Sequence, residues 1–285
     1  MKKILQHYQI IIEEKIHRAL SELGPPGVLR EACSYALTSP GKRLRPALVL
    51  IVADAVNKGT DVSDAALAIE FFHTSSLIVD DLPCMDDDNE RRNRPSLHRV
   101  YGEATALLAS YALIAAGYRC LASNAASMRT AALSSAVDIG MICQLALENV
   151  SFNMGLYGAT GGQQIDLFPP HITLDIVHDV IQKKTISLFE VAFVLGWLYG
   201  GGELNGLDRV KKAAHHLGLA FQVADDIADL EQDAQNGCKI NMAALIGESQ
   251  ARALVERELI AYSSCLKELN IATTSLAAIA RAISK

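Results

Sequence analysis

Aromatic side chains are scarce in this chain: they make up 6% of its 285 residues, although half of all residues are apolar. That balance suits Ala-, Leu- and Ile-rich helical packing better than a β-sandwich. No useful length of sequence alternates polar with apolar residues, and no fixed-period repeat occurs. The six cysteines have neither paired metal-ligand spacing nor a disulfide framework, which reads as reduced thiols in a cytosol, so a cytoplasmic location is expected. No run of 18 apolar residues is free of charge or frequent glycine, so no membrane span is expected. Residues 1–23 are amphipathic and charged (Glu13, Glu14, Lys15, Arg18) and lack the apolar core of a signal peptide. A net charge of −6 weighs against nucleic acid as a partner.

What is present reads as helix after helix. Ile4, Leu5, Tyr8, Ile11, Ile12, Ile16 and Leu20 recur at spacings of three and four, predicting a helix over residues 3–22 that Gly24-Pro25-Pro26-Gly27 ends. Further helices are expected over 28–37, from Pro46 to about Val56, and from Asp61 or Ser63 to the acidic stretch at Asp80. Pro83 removes the hydrogen bond to the carbonyl of Val79 and should end or kink that helix. Residues 103–126, 131–154, 174–199, 207–234, 249–269 and 273–284 complete the pattern. The fold class is all-α, a single domain over residues 1–285 with ten or more helices.

Two acidic clusters stand out. Between Asp80 and Glu90 lie Asp80, Asp81, Asp86, Asp87, Asp88 and Glu90, followed by Arg91 and Arg92. Carboxylates this close repel one another, and the end of a helix disfavours negative charge. A divalent cation would offset both; carboxylate oxygens are the hard donors that suit Mg²⁺, which leaves coordination positions for phosphate oxygens. Asp225, Asp226 and Asp229 form the second cluster, and Asp225 and Asp229 share a helix face. Basic clusters accompany them: Lys42/Arg43/Arg45, Arg91/Arg92/Arg94, Lys183/Lys184 and Lys239. A polyanionic ligand bridged by metal on one side and gripped by Arg and Lys on the other would use both sets. Thr185 adds a hydroxyl donor, and Gln222 stands one turn before Asp226.

Singly, each feature has a plainer reading. An Asp-rich turn is often a solvated loop, His73 on an apolar helix a satisfied core histidine, and Phe72 ordinary core. Gly161-Gly162 reads as a kink or close-packing site, with Gln163 and Asp166 as candidate cavity liners. Cys84 reads as a small apolar filler, and His98, His215 and His216 as structural. A helix–loop–helix calcium site counted from Asp86 fails, because positions 6 and 12 are Arg91 and Leu97 rather than Gly and Glu.

Taken in order, the set resembles the trans-prenyl diphosphate synthases. The resemblance rests on Asp80-Asp81-x-x-x-x-Asp86 with Arg91-Arg92, on Asp225-Asp226-x-x-Asp229, on Gly41-Lys42-Arg43-Leu44-Arg45-Pro46, on His73, on Gly161-Gly162-Gln163-x-x-Asp166 and on Lys184-Thr185. The four-residue gap before Asp86 is similar to that of the short-chain members making farnesyl or geranylgeranyl diphosphate. The resemblance implies an antiparallel helical bundle around a central cavity, usually a homodimer, that joins isopentenyl diphosphate to an allylic diphosphate. It implies that Asp80, Asp86 and Asp225, supported by Asp81, Asp226 and Asp229, hold Mg²⁺ (three ions, with Mn²⁺ as a substitute). Arg91, Lys184, Thr185, Gln222 and Lys239 would take the allylic substrate, and Lys42, Arg45, His73 and Arg92 the isopentenyl diphosphate. The departing diphosphate would be the base, so the lack of a Ser/His/Asp arrangement is expected.

The helix before Asp80 should line the tunnel for the growing tail. Ser75 is small where farnesyl-making relatives often carry an aromatic, and Phe72, about one turn deeper, could form the floor, which favours geranylgeranyl over farnesyl diphosphate as product. Val79 and Asn93 depart from the family's usual histidine and glycine, and the segment around Lys239 is short. That shortening leaves open a second reading, a catalytically silent regulatory subunit of a hetero-oligomeric synthase. A terpene cyclase is disfavoured by Lys42, Arg45 and His73, which would form a second diphosphate site.

Overall fold

The computed structural model describes residues 2–130, 138–231 and 240–284. Helix α1 (Lys2–Leu20) buries Leu5, Tyr8, Ile12 and Ile16 along one stripe, the three-and-four spacing read as a face. Helices α2 (Val28–Leu37), α3 (Leu44–Val56) and α4 (Ser63–Asp80) follow. At the start of α4 the carboxylate of Asp61 accepts from the Ser63 amide at 2.8 Å. A two-residue antiparallel hairpin, β1 (Glu90–Arg91) and β2 (Arg94–Pro95), leads into α5 (Leu97–Tyr101) and the long α6 (Glu103–Thr130).

Helix α7 (Ile139–Met154) is capped by Asp138, whose carboxylate accepts from the Met141 amide at 3.0 Å. The expected start at residue 131 falls on 131–137, outside the described residues. Helices α8 (Ala159–Leu167) and α9 (Leu174–Val180) follow. The expected continuous helix over 174–199 is interrupted: Ile181–Ile186 form a π-helical turn before α10 (Ser187–Tyr199) resumes. A π-bulge widens the turn and re-aims side chains, and here it carries Lys184 and Thr185. Helix α11 (Leu207–Ala228) stops at Asp229; the expected extension to 234 enters residues 232–239, outside the described set. Helices α12 (Met242–Ile246), α13 (Glu248–Glu268) and α14 (Thr274–Ile283) close the fold.

Every residue of α10 except Glu190 is buried, as befits a helix apolar all round at the centre of a bundle. It packs against α3, α4, α7 and α11. Helices α4 and α6 approach closely because residue 117 is glycine: a Cβ there would lie 2.6 Å from the Phe72 ring. Helix α6 is long and apolar enough to cross a membrane by length and composition. Its Ala106, Ala109, Leu113, Gly117 and Leu121 are nevertheless buried in the bundle, while Leu107, Leu108 and Tyr111 remain exposed.

Candidate active site

Helix α4 ends at Asp80, as Pro83 requires. The chain then folds back: the Asp86 amide donates to the Asp80 carbonyl at 2.9 Å, setting the two carboxylates side by side. Burial, with added repulsion from Asp86 and Asp81, lifts the Asp80 carboxyl from its ordinary 3.8 to about 6 against the opposing pull of Lys184 and Arg91. Burial likewise raises Asp86. Asp81 turns inward and accepts from Arg91 Nε at 2.5 Å.

Arg92 and Asn93 link the hairpin strands with φ of 56° and 62°, the left-handed pair of a type I′ turn. Asn tolerates that conformation better than other non-glycine residues, which accounts for Asn93 where a glycine is usual. The turn lays Arg92 across Gly41, where a Cβ would lie 2.4 Å from the guanidinium. Lys42, Arg45, His73 and Arg92 thereby line one basic pocket of about 470 Å³. Arg45 Nη1 lies 3.3 Å from His73 Nε2, and Arg45 sits over the Phe189 ring at 5.5 Å. Burial above all lowers Arg45 to about 10. Burial, then Arg45 and Arg92, push His73 far below its usual range. His73 is therefore neutral, so its Nε2 accepts from Arg45 and its Nδ1 carries the proton. Buried Arg45 Nε and His73 Nδ1 have no hydrogen-bond partner among the described residues.

The third wall comes from α8, the π-turn and α11. Lys184 Nζ pairs with Asp166, and Gln163 Nε2 donates to Asp86 Oδ1 at 3.3 Å. Thr185 Oγ1 donates to Gln222 Oε1 at 2.7 Å, and Gln222 Nε2 donates to Asp226 Oδ1 at 2.8 Å. Asp226 Oδ2 accepts from the Met242 amide at 2.7 Å. Asp226 is thus tied inward like Asp81, whereas Asp225 and Asp229 are exposed. Gly162 makes this wall possible: a Cβ there would lie 2.8 Å from Lys183 Cβ and 2.9 Å from the Lys184 amide nitrogen. Because backbone must yield, Gly162→Ala is expected to cost about 1–3 kcal/mol and to displace Lys184. A lowered melting temperature together with reduced turnover would bear this out; an unchanged melt would refute it.

The walls enclose a cavity of about 580 Å³. Arg45, His73, Asp80, Lys184 and Thr185 border it, and Ser75, Ile114, Met154 and Leu188 extend it into the bundle. Phe72, expected as a possible floor, does not line this wall. Its ring is fully buried over Gly117 and meets Tyr118 edge-on at 5.1 Å, a packing role on the α4–α6 seam. Ser110 was not singled out in sequence, yet it lines the cavity and its Oγ donates to the Ser75 carbonyl at 3.1 Å. Its signal was a small residue four positions before Ile114, lost among the many alanines of α6. Lys239 lies outside the described residues.

Residues 26–243 match the family model described as polyprenyl synthetase. The chain is 34% identical over 269 residues to the heterodimeric geranylgeranyl pyrophosphate synthase large subunit 2 of Arabidopsis thaliana, covering 88% of this chain and 68% of that one. It is 34% identical over 223 residues to the farnesyl diphosphate synthase of Bacillus subtilis, covering 77% and 72%. The crystal structure of an FPP/GFPP synthase from Zymomonas mobilis superposes with a TM-score of 0.81 at 29% identity, over 99% of this chain and 100% of that one. A geranyltransferase structure from Legionella pneumophila gives 0.84 at 27% identity, over 99% and 96%. The chain belongs to the polyprenyl synthetase family of prenyltransferases.

As a polyprenyl synthetase it needs a means of handling diphosphate charge. Among the described residues no three His, Cys, Asp or Glu side chains form a ready-made cation cage. Asp80 and Asp86 instead offer hard oxygens whose ionised forms are penalised by burial and by neighbouring carboxylates, Asp86 and Asp81 for Asp80, Asp166 and Asp88 for Asp86. A divalent cation relieves both penalties, and phosphate oxygens would complete its shell. That donor set fits Mg²⁺.

Proposed function

We propose that this polyprenyl synthetase catalyses the Mg²⁺-dependent head-to-tail (1′-4) condensation of isopentenyl diphosphate with an allylic diphosphate, giving a short-chain all-trans prenyl diphosphate. Geranylgeranyl diphosphate is the favoured product and farnesyl diphosphate the next. The observation that carries the reading is a single cavity with carboxylate and cationic groups at one end and apolar walls beyond. The relatives named as geranylgeranyl and farnesyl synthases support the same chemistry.

Asp80 and Asp86, with Asp225 from α11, hold the Mg²⁺ ions, three in number and replaceable by Mn²⁺; Asp81 and Asp226 hold the acidic loops in shape. Bound there, the ions would supply charge neutralisation of the allylic diphosphate, which makes it a better leaving group. Arg91 and Lys184 add charge-assisted hydrogen bonds to it, with Thr185 and Gln222 beside them and Lys239 as a further lysine. Lys42, Arg45, His73 and Arg92 take the isopentenyl diphosphate; its oxygens would satisfy Arg45 Nε and His73 Nδ1. The allylic C–O bond breaks and its electron pair leaves with diphosphate. The isopentenyl double bond attacks the allylic carbon, forming the new C–C bond, and the departing diphosphate takes the proton then lost. Apolar walls keep water from the cation.

Leu107, Leu108 and Tyr111 of α6 and Met141 and Leu147 of its neighbour α7 are exposed, and apolar side chains left uncovered on adjacent helices support a homodimer. Free cysteines at the five described positions support a reducing, cytoplasmic setting. The Arabidopsis relative is named as the large subunit of a heterodimeric synthase, which supports the hetero-oligomeric setting of the second reading, a silent regulatory subunit. Incubating the purified chain alone with Mg²⁺, isopentenyl diphosphate and each allylic primer, then sizing the products, decides between them. Elongated product carries the synthase reading; none with any primer carries the regulatory one.

A further inference from the structure

Arg43 sits between Lys42 and Arg45 and borders the same 470 Å³ pocket, yet its guanidinium is spent on protein partners. It is a non-glycine residue at φ 47°, a left-handed conformation that persists only where its surroundings over-determine it. Here they do. Arg43 Nε donates to Glu13 Oε1 at 2.7 Å and Nη1 to Glu70 Oε1 at 2.5 Å. Nη2 donates to the Leu37 carbonyl at 2.6 Å and the Ser39 carbonyl at 3.0 Å. The Arg43 and Glu70 side chains are each 2% exposed.

One turn before Glu13 on α1, Gln9 Nε2 donates to the Lys42 carbonyl at 2.8 Å. Residues four apart share a helix face, so one face of α1 grips two successive residues of the loop. Helix α1 is itself anchored: Tyr8 donates to Asp54 at 2.8 Å on α3, and Lys15 pairs with Asp64 at 2.7 Å on α4. It lies before residue 26, where the family match begins.

We propose that α1 is a clamp on the basic loop, with Gln9, Glu13 and Arg43 as positioning residues that hold Lys42 and Arg45 at the diphosphate of isopentenyl diphosphate. The inference rests on the proposed assignment of that diphosphate to this pocket. The expected effect of removing Glu13's charge has an unusual sign. If Glu13 acted only as a charge, removing a carboxylate near an anion site would tighten binding. A clamp predicts the reverse.

The experiment varies isopentenyl diphosphate at saturating allylic primer in wild type, Glu13→Gln, Gln9→Ala and Lys42→Ala. Glu13→Gln is expected to raise the KM for isopentenyl diphosphate about ten-fold, with kcat and the allylic KM within about two-fold; Gln9→Ala shifts the same parameter less. An unchanged or lowered KM in Glu13→Gln overturns the clamp, as does a fall in kcat with both KM values raised, which would mark general destabilisation. Lys42→Ala separates the two levels. If it raises the isopentenyl KM while Glu13→Gln does not, the pocket assignment stands and the clamp falls. If Lys42→Ala has no effect, both fall.

Discussion

Asp80→Asn is expected to make the metal-free protein more stable while lowering turnover about a thousand-fold. Burial raises the Asp80 carboxyl to about 6 in the folded chain, whereas the unfolded chain keeps the ordinary value near 3.8. Between those two pH values the folded state holds more protons than the unfolded one. Stability therefore falls as pH rises through that window, and the full penalty, about 2–3 kcal/mol, is present above about pH 6. Asparagine keeps the shape and drops the charge, so the penalty disappears. In a chelating buffer the variant should melt a few degrees above wild type at pH 7.5 and close to it at pH 4. Mg²⁺ with an unreactive diphosphate should reverse the order, because only wild type gains the ligand's stabilisation. A variant that melts lower than wild type without metal would mean that Asp80 is structurally paired and not held ready for a cation.

The same residue shows how far the amino-acid pattern alone reaches. Helix periodicity, the break at Pro83 and the two acidic clusters were legible, because each depends on residues close in sequence. The bundle and the family followed from the order of the motifs. The π-turn at Ile181–Ile186 was not legible, since its residues read as ordinary helix and the neighbour it packs against, α8 at Gly162, is about twenty positions away in sequence. Nor could spacing reveal that Asp81 and Asp226 turn inward: their partners, Arg91 and the Met242 amide, lie 10 and 16 positions away. Nor could spacing show where Phe72 packs. Its helix position suits a cavity floor, but Gly117 on another helix opens a slot that takes the ring instead.

That slot bears on product length, and Ser75→Tyr is expected to shorten the product by at least one five-carbon unit. Ser75 is buried at 1% exposure, lines the cavity, and lies five residues, roughly 7.5 Å, along α4 from Asp80. One isoprene unit is about one helical turn, 5.4 Å, so a phenol projecting from this point would block the tail after one or two additions. The serine hydroxyl is spent on the Phe72 carbonyl at 2.7 Å, and its loss costs about 1 kcal/mol, too little to unfold the chain. The cavity of about 580 Å³ has room for the ring, so the first condensation should survive while elongation stops early. Phe72→Ala serves as the contrast: it should cost about 3–5 kcal/mol of stability and leave the product distribution little changed, because the ring faces Gly117 and Tyr118. Chromatographic sizing of the dephosphorylated products reads both variants. An unaltered distribution in Ser75→Tyr would show that the tail does not run past this residue. Longer products from Phe72→Ala would return the floor to Phe72.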